Sequence, residues 1–193
     1  MRILEGKNKV VFDGTRGGSF QIERNASLVY VIDLNKGERN ILIEINLKGE
    51  FAQARVLGVF NGSGSDKFHL NIVIHHDALD TRSETLVKGV LKDSAQCIFS
   101  GLVEIEKSAS GTIASLTERT LLLSDAAKAE SLPFLEIKNN DVSVNHAVTV
   151  STLDKEQLWY LQSRGLDTHS AQQLITEGFL EEVRSRMPKK IEN

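Results

Sequence analysis

The stretch LKGEFAQARVLGVFNGSGSDKFHLNIVIHHDALDTRSETLVKGVLKDSAQCIFSGLVEIE, residues 47–106, decides the fold. It reads as strand after strand, with no helical period. ARVLGVF, FHLNIVIHH, LVKGVL and CIFSGLVEIE are short β-branched or apolar runs, broken by Gly/Asn/Ser/Asp clusters such as NGSGSD at 61–66. From Leu102 to Lys107 the alternation is strict: Leu102, Glu104 and Glu106 face one way and Val103 and Ile105 the other, as in a half-buried strand. The stretch also echoes itself. LKGEFAQARVLGVF (47–60) and LKDSAQCIFSGLVEIE (91–106) share Leu-Lys, an acidic residue, an alanine and a later glycine, with starts 44 positions apart. That spacing predicts two coils of about 20 residues each, and about seven coils in all, stacked as a β-solenoid around a common core. Periodicity alone does not separate stacked coils from a jelly roll or β-sandwich, and both readings stand at this point.

Outward from this stretch, LVYVIDL and NILIEINL precede it, and TLLLS, PFLEIK and VSVNHAVTV follow, so strands run from Val10 to about Leu153. NGSGSD has no helix after it and reads as a hairpin or coil turn, not a phosphate cradle; Asn71 and Asn145 are candidates for polar ladders. Residues 1–153 are thus expected to form a β domain and 154–193 a helical segment. Asp154 is placed as an N-cap with Gln157 at capping-box spacing, and Leu158 and Leu161 mark one face of a short helix. Gly165 sits where a left-handed C-terminal residue belongs, and Thr168 is placed as the next cap. Ala171, Leu174, Ile175, Phe179, Val183 and Met187 form an apolar stripe. Gly178 inside it costs about 1 kcal/mol relative to alanine, tolerable where another backbone packs closely.

The 193 residues, 40% hydrophobic and 25% charged, suit one globular domain with an appendage. A net charge of −3 lacks the basic stripe of a nucleic-acid binder. The single cysteine, Cys97, excludes an internal disulfide framework and fits a reducing compartment. The N-terminus lacks the apolar run of a signal peptide, and no stretch approaches the roughly 18 apolar residues of a membrane helix. A soluble, cytoplasmic protein is expected.

Few residues point to chemistry by themselves. His69, His75 and His76 cluster within KFHLNIVIHHD, but a strand spreads His69 and His75 about 20 Å apart, too far for one metal. Cys97 beside Ile98 and Phe99 reads as a buried small hydrophobe, and a lone thiol does not hold an iron–sulfur cluster. Glu104 and Glu106 share a strand face at about 7 Å, a spacing carboxylate acid/base pairs use, yet a solvated face explains them equally. No phosphate loop, G-x-S-x-G or zinc spacing occurs. His146, within DVSVNHAVTV, is one histidine on a strand.

From Phe68 onward the chain resembles the C-terminal half of the SufB/SufD family of iron–sulfur cluster assembly proteins, most clearly over residues 81–187. TRSETLVKGVLKDSAQCIFSGLVEIEKSASGT, RTLLLSDAAKAESLPFLEIKNNDV, the His146 strand and LDKEQLWYLQSRGLDTHSAQQLITEGFLEEV carry the resemblance in order and at family spacing. It implies a mainly β fold, a right-handed parallel β-helix with two short C-terminal α-helices. It also implies a scaffold without enzymatic activity of its own, handling a transient iron–sulfur cluster and binding none stably. The β-helix would pair with a second SufB/SufD-like chain, as homodimer or heterodimer, and the terminal helices would dock an ABC-type ATPase, SufC. By the resemblance, His146 matches the family histidine implicated in cluster handling, with Glu118 as a further cluster or iron contact. Gln157, Leu158, Tyr160, Arg164, Gly165 and Phe179 match the docking tail. Departures are also visible. The glutamate after the family histidine is Ala147, the upstream cysteine falls near Glu118 or Arg119, and the cysteine two residues before the histidine is Val144. Typical members are about twice this length. Two other readings follow: a SufD-like interaction module without cluster binding, and a β-helix carbohydrate-active enzyme.

Overall fold

The computed structural model describes residues 1–12 and 16–189. Twelve strands follow one another: β1 (Arg2–Ile3), β2 (Asn8–Phe12), β3 (Gly17–Ile22), β4 (Ser27–Leu34), β5 (Glu38–Leu47), β6 (Gln53–Gly62), β7 (Lys67–His76), β8 (Arg82–Leu91), β9 (Gln96–Ile105), β10 (Thr112–Leu122), β11 (Lys128–Ile137) and β12 (Val142–Thr152). Odd strands form one six-stranded sheet and even strands a second. Every pairing is parallel. Each strand therefore pairs with the strand one coil away, and the chain is a two-sheet β-solenoid of about 5 turns. Jelly rolls and sandwiches are antiparallel, so both alternatives fall.

The coil is longer than the sequence echo predicts. Glu38, Lys67, Gln96 and Lys128 are successive register partners in the odd sheet, in steps of 29, 29 and 32 residues. A coil thus holds two strands and two corners; it is 19 residues only at the N-terminal end, where Arg2 pairs with Gln21, and 29 to 32 from β5 onward, so there are fewer than seven coils. The 44-residue echo spans one and a half coils. Its two copies lead into β6 of the even sheet and β9 of the odd sheet, and what repeats is the corner. The N–H groups of Ala26, Ala52, Ala95, Ala109 and Ala127 donate to the carbonyls of Glu23, Gly49, Lys92, Glu106 and Ser124. All five alanines are buried. Where the chain folds back on its own core, a larger side chain has no room. NGSGSD is one of these corners, between β6 and β7, and not a hairpin. Asp66 and Asp93 tie successive corners, accepting from the Gly37 N–H at 2.7 Å and the Gly64 N–H at 3.0 Å.

The core fills the space between the sheets. Leu28, Tyr30, Ile32 and Leu34 of β4 face Ile41, Ile43, Ile45 and Leu47 of β5 and Phe68, Leu70, Ile72 and Ile74 of β7, all buried. Each such side chain contributes about 1.5–3 kcal/mol relative to exposure. Glycines adjust this interior. Gly89 stands in register with Phe60, whose ring occupies the space a side chain at 89 would take. Asn71 lies opposite Leu42 and Ser100, and Asn145 opposite Ser115, so no asparagine ladder forms at either.

The helical segment is α1 (Lys155–Ser163) and α2 (Thr168–Arg184). Asp154 caps α1, accepting from the Glu156 and Gln157 N–H groups. Gly165, at φ 96°, ends it: its N–H donates to Gln162 and that of Leu166 to Leu161, the paired bonds of a Schellman motif. The α2 cap is Asp167, one residue before the expected Thr168; its carboxylate reaches the Ser170 N–H at 2.8 Å. The apolar stripe of α2 lies on the outer face of the even sheet. Leu180 and Val183, with Ile175, Phe179 and Met187 beside them, pack on Leu57, Val59, Leu86, Val90 and Leu121. Gly178 faces open space instead of a close backbone, contrary to expectation.

Two glycine substitutions should move stability in opposite directions. Gly89→Ala places a Cβ 1.8 Å from the Phe60 ring and should destabilise by roughly 1–3 kcal/mol. Gly178→Ala meets no atom within 4 Å and should stabilise by up to about 1 kcal/mol. Urea denaturation of the two variants checks both signs.

Candidate functional site

The last coil, β11 and β12, is the open end of the solenoid, and each of its strands is the edge of its sheet. Val142, Val144 and Val148 pack on the core, so the alternation along β12 turns His146 to the same interior side. His146 stands in register with Leu116, and Val148 with Glu118. His146 and Glu118 are thus on neighbouring strands of one interior face, two residues out of step, with backbones about 8 Å apart. With no coil beyond it, His146 is exposed. Leu135 (36% exposed), Ile137 (45%) and Val150 (41%) are uncovered on the same coil.

Glu118 is in a different environment. It is fully buried inside the penultimate coil. Its carboxyl accepts hydrogen bonds from the Thr120 hydroxyl and, at 2.8 Å, from that of Ser131. Burial pushes the carboxyl above the usual range, and the two hydroxyls only partly oppose this. Cys97 is buried in the same interior. Burial first, and the Glu118 charge second, push its thiol far up, so it stays protonated and is a poor metal ligand. Among the described residues no group of three or more His, Cys, Asp or Glu side chains is placed to hold a metal ion. One exposed imidazole and one enclosed carboxyl do not complete a cluster site within a single chain.

His75, His76 and the glutamate pair serve the scaffold. His75, on the outer face of the odd sheet, donates from Nδ1 to Glu104 at 2.7 Å. Lys138 bridges Glu104 at 2.8 Å and Glu106 at 2.6 Å. Lys138 first, and His75 second, hold the Glu104 carboxyl below its ordinary range. This tied pair is not an acid/base couple. His76 points inward and is fully buried, with Nδ1 2.8 Å from the Thr81 hydroxyl and Nε2 2.8 Å from that of Ser83. Burial lowers it to about 4, which keeps it neutral.

The residues expected to dock a partner divide into two sets. Gln157, Tyr160, Arg164 and Gly165 are exposed on or just after α1; Leu158 is half-buried. The Arg164 guanidinium lies 5.2 Å from the Tyr160 ring centre. Phe179 is half-buried against the even sheet, where Ile175, Leu180, Val183 and Met187 of the stripe also pack, while Leu174 stays exposed. What remains open is a groove between the helices lined by Gln157, Leu161, Leu174, Ile175, Gly178 and Phe179. Beside it Trp159 is 70% exposed, Tyr160 52% and Leu174 49%. Trp159 was absent from the sequence expectation. Its signal was a large aromatic off the apolar face of its own helix.

The site thus combines a parallel solenoid whose last coil leaves two edge strands with a helix, α1, that exposes Trp159 and Tyr160. The sequence matches the family described as "SUF system FeS cluster assembly, SufBD core domain" over residues 5–179, and the chain belongs to that family. The match begins well before Phe68, where the sequence resemblance begins. The chain is 35% identical over 140 residues to the iron–sulfur cluster assembly protein SufD of Bacillus subtilis, covering 72% of this chain and 32% of that protein. An iron–sulfur cluster assembly SufBD family protein of Mycobacterium leprae is 32% identical over 143 residues, covering 74% and 16%. One from Staphylococcus epidermidis is 28% identical over 169 residues, covering 86% and 36%. The chain spans little more than a third of these relatives' length, or less.

The enclosed carboxyl has a pH signature. A folded-state pKa raised above the unfolded value contributes stability that is fully present below the unfolded pKa, near 4.5, and is lost as pH rises through the folded value. Glu118→Gln keeps the shape and removes the titration. It should match the wild type near pH 4 and exceed it in stability at pH 7 and above, read by chemical denaturation across that range.

Proposed function

We propose that this chain is a scaffold subunit of a SUF-type iron–sulfur cluster assembly complex. It pairs through its last coil with a second SufB/SufD-like chain, itself or a paralogue, and docks an ABC-type ATPase, SufC, through the α1–α2 surface. The observation that carries this reading is the unclosed last coil. Two edge strands offer unpaired backbone groups beside exposed Leu135, Ile137 and Val150, and such an edge is a template for another chain. The uncovered groove and Trp159, Tyr160 and Leu174 support a helix-level contact with the ATPase. ATP hydrolysis belongs to that partner, and this chain performs no catalysis of its own. The cluster is cargo, held transiently and not as a resident cofactor. His146 supplies an exposed nitrogen at the interface, and the remaining ligands come from the partner chain. Glu118 supports the His146 coil from within and reaches the cargo only if the interface opens. The complex works in the cytoplasm.

One observation favours a second reading, a SufD-like interaction module without cluster chemistry: Cys97 is sealed and Glu118 is already paired. Anaerobic reconstitution with SufC and the partner chain separates the two. His146→Ala should lower iron and sulfide incorporation several-fold while the complex still assembles; unchanged incorporation selects the interaction module. Replacing Tyr160 by Ala should weaken SufC binding by roughly tenfold, a hot-spot-sized loss, without altering the melting curve of the free protein.

A further inference from the structure

We propose that Lys88 is a positioning residue that sets the rotation of α2, and through it the direction in which Trp159 and Tyr160 face; its consequence for docking rests on the reading above. Lys88 lies on the outer face of the even sheet with only 4% of its surface exposed. It is in register with Val59 and Arg119, between Leu86 and Val90, in the apolar cluster that α2 covers. A leucine or methionine would fill that place without the cost of removing an ammonium group from water.

The ammonium's contacts all lie on one side of α2. Its Nζ donates to the Phe179 carbonyl oxygen at 3.0 Å, pairs with the Glu182 carboxylate, and sits 4.4 Å from the centre of the Phe179 ring. Residues 179 and 182 are three apart, so they share a helix face. A turn of one residue about the helix axis, about 100°, would break all three contacts. The apolar contacts around them are non-directional and tolerate rotation far better. Glu182 reinforces the choice. Its carboxyl is held below its ordinary range by Lys88 first, with Arg119 and Arg186 adding to the effect, so cations from the sheet and from the helix meet on one acidic group. Nearer the helix end Arg186 pairs with Glu84, which Arg55 also holds at 3.1 Å. That contact anchors the last turn, while Lys88 acts at the middle of the packed segment.

The link to docking is α1. It has no buried residue of its own and packs on α2. The Schellman turn at Gly165 joins the two helices tightly. The rotation of α2 therefore decides where the exposed aromatic pair points.

The test uses Lys88→Met in the full chain, with Trp159 as probe because it is the one tryptophan in the sequence. In the free protein the variant should show lower Trp159 fluorescence anisotropy with little change in melting temperature, since Glu182, the partner left behind, is half-exposed and stays solvated. Purified SufC should bind it roughly tenfold more weakly. Unchanged anisotropy overturns the inference whichever way affinity moves, and lower anisotropy with unchanged SufC affinity overturns its consequence for docking. Should Lys88→Met fail to fold, Glu182→Gln, whose side chain is half-exposed, reads the same two quantities. If the wild type itself does not bind SufC, the docking reading fails, and the anisotropy comparison still decides what Lys88 does.

Discussion

Each strand of this solenoid takes its hydrogen-bond partners from the strand one coil away, 19 residues along in the first coil and 29 to 32 from β5 onward, so the strand register must be held from turn to turn while the corners vary. A slip of one residue would turn a strand's interior side chains outward and its outer face into the core. The corners prevent this. A buried alanine at a closing bond lets the chain reverse close to the core, and Asp66 and Asp93 tie each corner to the next. Where a coil is longer, as between Gln96 and Lys128, the added residues lie in the corner and the strand register is kept. The interior then follows from rows of register partners. Phe60 needs Gly89 above it because its ring fills the space a side chain at 89 would take.

The same constraint decides which polar groups are tolerated inside. His76, Thr81, Ser83 and Thr112 meet at a corner and satisfy one another. Glu118, in register with Val87 and Val148, is accommodated by two hydroxyls, with burial favouring its neutral form. His146 has the same inward orientation but no coil above it, so it is the one of these inward polar groups left to meet something outside the molecule. Position in the stack, more than residue type, separates structural polar groups from one available for chemistry.

Much of this was legible in the sequence because alternation is local. The strands from LVYVIDL to VSVNHAVTV, the Asp154 cap and the Gly165 terminator all follow from short-range rules and appear where those rules place them. The coil length was not legible. The Leu47 and Leu91 echo reports corner chemistry, and corners occur twice per coil on opposite sides, so the spacing of two corners did not equal a coil. The α2 stripe was legible as apolar, and the resemblance matched one of its residues, Phe179, to a docking tail. A stripe does not state what covers it, and here the molecule's own even sheet does. Burial of Lys88 had no sequence signal at all: a lysine between Leu86 and Val90 looks like an ordinary outward residue until a helix lies over it.

The two free edges of the last coil are not equivalent. β11 carries Pro133, in register with Gly101, while the pairing to β9 continues on both sides of it. A proline inside a strand is accommodated where its missing N–H faces away from the paired neighbour, toward the open edge. That edge therefore lacks one donor in the middle of the row that a further coil would read. β12 has no such gap. A stack of parallel coils is in principle a polymer that could grow without limit by adding copies of itself. One imino acid removes a single donor from one of the two edges and leaves the other edge intact. The two edges of the last coil thus differ in the row of donors each presents.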